Sequence, residues 1–223
     1  MFGLLAAEPV GVAELLRDAP RSLCKLATEH GDGWGVALMD LEWSIYRSTS
    51  SAATCAHYDE IVSALRARML VAHIRKKTVG ETSIKNTHPF RRGNFVFAHN
   101  GTVKTDALVA RSSQARLAEI EGATDSEKLF AFVLTHVDEA GDVARGVTAA
   151  VRELHAIAEL GAATFLLSCG ARIYAHRLGR TLFTHARTDA TLVASEPLGP
   201  DWTEVPERTV VVLEPPQRLS VAA

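Results

Sequence analysis

Two consecutive amphipathic helices divide this chain and restrict the folds open to it. The first opens at Thr124-x-x-Glu127, a capping-box pattern. In such a box the Thr hydroxyl takes a free N–H of the first turn and the Glu reaches back to the cap. Phe130, Val133, Leu134 and Val137 then recur at helical spacing, as do Val143, Val147, Val151 and Leu154 in the second helix. Each helix presents one apolar stripe that must be covered, and the sequence on both sides reads as the strands that would cover it.

Before the pair, residues 2–7 form an apolar run suited to a buried strand. Residues 10–29 read as one or two short helices interrupted at Pro20, which is tolerated at a helix start but not inside one. Residues 36–39 and 43–47 suggest a hairpin across Asp40-Leu41, Tyr58, Ile61 and Leu65 share helical spacing, and 69–74 and 94–99 read as strands. After the pair, strands are expected at 164–168, 172–177, 181–186, 192–195 and 209–213, with Cys169-Gly170 turning the first into the second. Strands, a helix pair and strands again imply an α+β fold of layered antiparallel sheets with helices outside. No repeat and no Pro/Gly/Ser-rich linker interrupts the chain, so residues 1–223 are expected to form one domain.

Composition excludes some functions. Hydrophobic residues make up 47% of the 223, enough for a large core, and the net charge is -2. That balance argues against nucleic-acid binding, which needs clustered Lys and Arg, and the pairs Lys76-Lys77 and Arg91-Arg92 are too short to supply it. Cys24, Cys55 and Cys169 form no CxxC and no even disulfide framework, as expected of reduced cytoplasmic thiols. The start MFGLLAAEPV lacks a basic segment and meets Glu8 and Pro9 early, unlike a secretory signal. No apolar run approaches the ~20 residues of a membrane span. A cytoplasmic protein with no membrane partner is expected.

Several short motifs carry chemistry. Arg75 follows a strand and precedes the loop ending at Gly80, where a guanidinium can grip a carboxylate through two parallel hydrogen bonds; a surface ion pair is the plainer alternative. Phe97-Ala98-His99-Asn100-Gly101 ends a strand in Asn-Gly. The Asn100 amide beside an unhindered Gly101 N–H could form an oxyanion hole, although Asn-Gly is also a common turn. Asp125 sits in the first turn of the capped helix, where the helix dipole favours its ionised form and a ligand's ammonium could meet it. His73, His88 and His99 fall in the same blocks, but without HExxH or a close His pair no metal site is expected, and no cofactor either.

Taken in order, the blocks HGDGWGVA (30–37), AHIRKKTVG (72–80), NTHPF (86–90), FAHNG (97–101), TDSEKLF (124–130) and ASEPL (194–198) resemble the class II glutamine amidotransferases, a branch of the N-terminal-nucleophile hydrolases. The resemblance spans nearly the whole chain and is strongest to small members without a synthase domain. It implies a four-layer αββα sandwich. It also implies that Arg75 holds a glutamine α-carboxylate and Asp125 its ammonium, that Asn100 and Gly101 form the oxyanion hole, and that Thr78 and His88 belong to the substrate pocket. In that family an N-terminal Cys attacks the side-chain amide with its own α-amino group as base, giving a thioester and ammonia.

This chain departs from that pattern at Met1-Phe2-Gly3-Leu4-Leu5, where Phe2 stands at the place expected for the nucleophile. Ser22 and Cys24 lie in expected helix and Cys169 in a turn. Losing a nucleophile that works as part of a unit can cost on the order of 10⁶ in turnover. The expectation is a catalytically inactive homologue that binds glutamine or a related amino acid, alone, as a homo-oligomer or with a separate protein partner. An active amidotransferase or amidohydrolase and a purely structural subunit are the alternatives. Lys76-Lys77, where relatives tend to carry small or apolar residues, could favour a ligand more anionic than glutamine.

Overall fold

A computed structural model describes residues 1–216 of the chain. The strands are β1 (Phe2–Gly11), β2 (Trp34–Met39), β3 (Trp43–Ser48), β4 (Arg66–Ile74), β5 (Phe90–Arg92), β6 (Phe95–Asn100), β7 (Thr164–Ser168), β8 (Ile173–Arg177), β9 (Phe183–Ala186), β10 (Ala190–Ala194), β11 (Thr203–Glu204) and β12 (Thr209–Leu213). The helices are α1 (Leu23–Leu26), α2 (Ala56–Ala64), α3 (Asp106–Ala110), α4 (Gln114–Ala118), α5 (Asp125–Ala140) and α6 (Val143–Ala156).

Two sheets form, and every strand pair in them is antiparallel. One has the order β11-β9-β10-β1-β4-β2-β3 and the other β12-β8-β7-β6-β5. Period-two alternation along the strands separates three cores. Phe2, Leu4 and Ala6 of β1 join Leu70 and Ala72 of β4 on the face of the larger sheet that packs against Leu16, Leu23 and Tyr58. Leu5, Val71 and Val193 face the other way and meet Val96, Ala98 and Leu166 between the sheets. Phe97, Phe165 and Leu167 cover the outer face of the smaller sheet and receive the apolar stripes of α5 and α6. The result is the four-layer αββα sandwich.

The helix pair binds firmly to the smaller sheet. Phe130 of α5 stacks on Phe97 of β6 with ring centroids 4.8 Å apart and planes 4° from parallel. Gly141 ends α5 in the left-handed conformation, and Asp142 Oδ1 accepts from Arg145 N at 2.8 Å to start α6. These contacts fix where the first turn of α5 points, which matters for Asp125.

The expected strands and helix pair are present, with some differences. β1 continues past residue 7 to Gly11 because its pairing with β4 shifts between Leu5 and Val10. That bulge accommodates Pro9, which has no N–H to donate. The short pieces β5 and β11 and the helices α3 and α4 carry too little periodicity to be read from sequence. Among the described residues, no helix is long and apolar enough to cross a membrane.

Candidate functional site

Because β1 runs antiparallel to both β4 and β10, its first residue lies beside the ends of those two strands. The end of β6 and the first turn of α5 reach the same edge, and a cavity of about 420 Å³ opens between the sheets there. Arg75, Thr78, His88, Asn100, Gly101 and Asp125, six residues from four sequence blocks, all line it.

Arg75 is held by the loop that follows it. Its Nη2 donates to the carbonyls of Val79 at 3.1 Å and Gly80 at 3.4 Å, while Nη1 is buried without a partner. Burial pulls its pKa down and Asp32 acts in the opposite direction. A buried cationic N–H group with no acceptor is costly, and a ligand carboxylate would relieve that cost. Asp125 is buried, and its Oδ2 accepts from Val103 N at 2.8 Å. Its remaining acceptor capacity can serve a ligand ammonium.

The first turn of α5 is secured differently from the expected capping box. Thr124 Oγ1 does accept from Glu127 N at 3.3 Å. The Glu127 carboxylate does not return to the cap. It accepts from Glu121 N at 3.1 Å, Gly122 N at 2.8 Å and Arg92 Nη2 at 2.7 Å, and so ties the preceding loop to β5. Asn86 completes the tie: its Oδ1 accepts from Ala123 N at 2.9 Å and its Nδ2 donates to Glu81 O at 2.9 Å. The loops carrying Arg75 and Asp125 are therefore joined through one buried amide.

Asn100 and Gly101 lie side by side at the cavity, at the end of β6. His73 Nε2 lies 3.1 Å from Asn100 Oδ1. Burial holds His73 well below the ordinary histidine range, so the ring is neutral and donates from Nε2. The Asn100 NH₂ is then the half of the amide left for a ligand. Gly101 has φ of 143°, and a Cβ there would lie 2.0 Å from the Ala162 carbonyl oxygen. His99 Nε2 donates to that same carbonyl at 2.9 Å, and its Nδ1 accepts from Ser126 at 2.9 Å. Thus His99 braces the Gly101 turn against α5 from the opposite face of β6.

His88 packs between the rings of His73 at 4.4 Å and Phe90 at 4.5 Å, and neither of its ring nitrogens has a partner. Burial keeps it neutral. Gly35 allows this close approach, since a Cβ there would lie 2.2 Å from the His88 carbonyl oxygen. Although His73 and His88 meet, no group of three or more His, Cys, Asp or Glu among the described residues is arranged to hold a metal ion.

The expectation for Phe2 is corrected. Its side chain is fully buried on the helix-side face of the larger sheet, away from the cavity. The residue of this segment that lines the cavity is Met1. Its α-amino nitrogen donates to Ser195 Oγ at 3.1 Å, its carbonyl accepts from Ser195 N at 3.0 Å, and burial pulls the amino group down to about 5. Lys77 is also absent from the lining; its backbone N–H bonds Asp32 Oδ2 at 2.8 Å, and Lys76 alone of the pair reaches the cavity. His73, weighed from sequence only as a metal ligand, and Ser195, noted only within the 194–198 block, also contribute to the site, as does Arg180, which was not singled out. His73 carried a further readable signal, since it shares strand parity with Met69 and Val71, which face between the sheets.

Known proteins match this arrangement. The family model for glutamine amidotransferases class-II matches residues 19–191. The γ-glutamyl-hercynylcysteine sulfoxide hydrolase of Mycobacterium tuberculosis (strain CDC 1551 / Oshkosh) is 33% identical, over 94% of this chain and 90% of that protein. The protein of the same name from Mycolicibacterium smegmatis is 30% identical, over 91% of this chain and 90% of its own length. Among solved structures, a glutamine aminotransferase class-II domain protein from Silicibacter pomeroyi superposes with a TM-score of 0.68 at 20% identity, covering 96% of this chain and 94% of that one. The glutamine phosphoribosylpyrophosphate amidotransferase of B. subtilis gives 0.69 at 17% identity, covering 96% of this chain and 46% of that one. These two structures share the fold. With a family model matched over most of its length and relatives of this identity, the chain belongs to the class II glutamine amidotransferases.

Proposed function

We propose that this protein binds a γ-glutamyl amide, glutamine or a substituted glutamine, in the cavity between its sheets. Arg75 takes the α-carboxylate, Asp125 the ammonium, and the Asn100 NH₂ with the Gly101 N–H the γ-carbonyl oxygen. The observation that carries this reading is the convergence of Arg75, Asn100, Gly101 and Asp125 on one cavity, with Asn100 turned by His73 so that its NH₂ is free. The name of the mycobacterial relatives, hydrolases of a γ-glutamyl compound, supports the same ligand class. The three cysteines are free, which fits a reducing cytoplasm.

Binding without turnover is the reading for a protein that begins at Met1. The thioether of Met1 cannot lose a proton and attack as a thiolate does. Cys24 and Cys55 pack against the helix-side core, and Cys169 lies in the turn from β7 to β8, so none of the three cysteines lines the cavity. Hydrolysis is the second reading, and one observation favours it. Met1 faces the cavity, so by strand alternation a residue two positions before it would face the same way, about 7 Å further along. A thiol there, with its own amino group as base, would supply the missing nucleophile.

The test is a calorimetric titration of L-glutamine into protein whose terminus has been verified by mass, together with an assay for released glutamate. Saturable binding without glutamate establishes the first reading for a Met1 terminus. Steady release accompanied by an extended native terminus establishes the second. Absence of binding at millimolar glutamine and γ-glutamyl dipeptide overturns the pocket assignment.

A further inference from the structure

The two sheets end in four strands, β11 and β3 in the larger and β12 and β5 in the smaller. An edge strand presents a row of backbone N–H and C=O groups that another chain can pair with, and proteins blunt such edges with short strands, charged side chains, Pro or bulges. Three of the four are blunted here. β11 has two residues and β5 has three, among them Arg91 and Arg92. β3 carries Arg47, and its Trp43 carbonyl accepts from Arg91 Nη1 at 2.9 Å. β12 has none of these devices. Thr209-Val210-Val211-Val212-Leu213 contains no charge and no Pro, and its β-branched residues favour strand pairing.

β12 pairs with β8 on one side, and among the described residues no backbone hydrogen bond reaches its opposite edge. Val212 is 47% exposed, whereas β7 in the middle of the same sheet is buried throughout. The open edge is complementary to itself. Antiparallel pairing of two copies about Val211 sets Val210 opposite Val212 of the second copy, and Thr209 opposite its Leu213. One residue further out at each end, Arg208 stands opposite Glu214 of the second copy. Residues directly opposite in an antiparallel pair share a face, and opposite charges there stabilise the pairing. Arg208 has the parity of Val210, which packs against the helix-side core, and its Nη2 donates to the His155 carbonyl of α6 at 2.9 Å. Glu214 extends to the surface beside Arg172. Pro215 and Pro216 follow, so the ladder cannot lengthen in that direction. A shift of the register would unmatch both Arg–Glu pairs.

We propose that β12 is a self-association surface, on which a second copy of this chain docks by antiparallel pairing about Val211 and joins two five-stranded sheets into one. A strand contact ~17 Å long is small beside the ~1,200–2,000 Å² buried in stable complexes, so the dimer is weak and depends on concentration. No residue of β12 lines the cavity, so pairing and ligand binding are separable.

Sedimentation equilibrium of the full chain between ~1 μM and ~1 mM follows the association, with monomer expected to dominate at the lower limit and dimer at the upper. Val212→Lys places a charge on the open edge and is expected to weaken association about tenfold or more, with little change in Tm. Arg208→Glu is expected to weaken it as well, and the double variant Arg208→Glu, Glu214→Arg to restore it, because the antiparallel register exchanges the two charges. Hydrogen exchange of the parent at both concentrations locates the contact: amides within 209–213 are expected to slow only where dimer forms. A monomer at every concentration overturns the inference. So does a dimer whose 209–213 amides exchange as in the monomer, which would place the contact on another surface. Protection of these amides in the monomer would assign the edge to another part of the same chain and also overturn it. The exchange measurement needs only the parent and decides the matter even if a variant does not fold.

Discussion

His73 Nε2 lies 3.1 Å from Asn100 Oδ1, so an imidazole on the larger sheet determines which way an amide on the smaller sheet faces. Burial keeps the imidazole neutral and able to donate only from the nitrogen that carries its proton. The amide oxygen is engaged and its NH₂ is left for a ligand carbonyl. The two sheets are therefore joined at the edge of the cavity, and the amide is oriented before any ligand arrives.

Asn100→Asp tests that arrangement. The substitution preserves shape and the bond from His73 but replaces the free NH₂ by an anionic oxygen. Glutamine affinity is expected to fall tenfold or more, at roughly 1–3 kcal/mol for a lost buried hydrogen bond. Unchanged affinity in a calorimetric titration would remove Asn100 from the ligand site.

Asp125 separates ligand binding from stability. Asp125→Asn keeps an oxygen for Val103 N–H and loses the charge, so ligand affinity should drop about tenfold with a small change in Tm. Asp125→Ala also leaves that N–H unpaired, which should cost a further ~1–3 kcal/mol of stability. Equal Tm values for the two variants would show that the Val103 bond contributes little.

Gly101 is constrained by its φ of 143° and by the nearby Ala162 carbonyl. Gly101→Ala is expected to lower stability by ~1–3 kcal/mol through backbone strain, with more from the contact. A Tm equal to the parent's in differential scanning calorimetry would show that the turn relaxes freely.

Glu127 is a buried carboxylate that accepts two backbone N–H groups and Arg92. Removing one partner of such a cluster leaves the others desolvated, so Glu127→Ala should cost ~3–5 kcal/mol. Glutamine binding should weaken in parallel, because the loop before Asp125 loses its anchor. Full stability in chemical denaturation would contradict this.

The histidines make stability depend on pH. His176 is buried on β8; its Nδ1 donates to Ala163 O at 2.8 Å and its Nε2 lies 3.0 Å from His155 Nε2. Burial pulls it from 6.5 to about 4. With the folded value below the unfolded one, the unfolded chain binds more protons between them. The stabilising contribution is thus complete above pH ~6.5 and is lost as pH falls towards ~4, by about 3 kcal/mol for this one group. His73 and His88, also lowered by burial, act in the same direction. Tm is expected to fall continuously over that window, and less steeply in His176→Gln. Identical slopes would assign the loss to other groups.

Much of the scaffold was legible because it depends on local periodicity. The stripes of α5 and α6 and the hairpin β2–β3 repeat over enough residues for one face to be recognised. β5 is three residues long and β11 two, so neither carries a period, and each exists because a neighbouring strand offers it hydrogen bonds. The expected reach of Glu127 to its own cap fails for a related reason. A better set of donors, from Glu121, Gly122 and Arg92, becomes available only once β5 lies beside α5.

The sequence alone determined which chemical groups could recognise a γ-glutamyl ligand. Arg75, Thr78, His88, Asn100, Gly101 and Asp125 are identifiable from residue type and order, and they do line one cavity. Tertiary structure decided what those groups can do there. The free half of Asn100 is set by His73 on the other sheet. Strand parity within the paired sheets places Phe2 in the core and Met1 at the cavity. Residue type is local, whereas the face a side chain presents and the partners it lacks depend on what the rest of the chain packs against it.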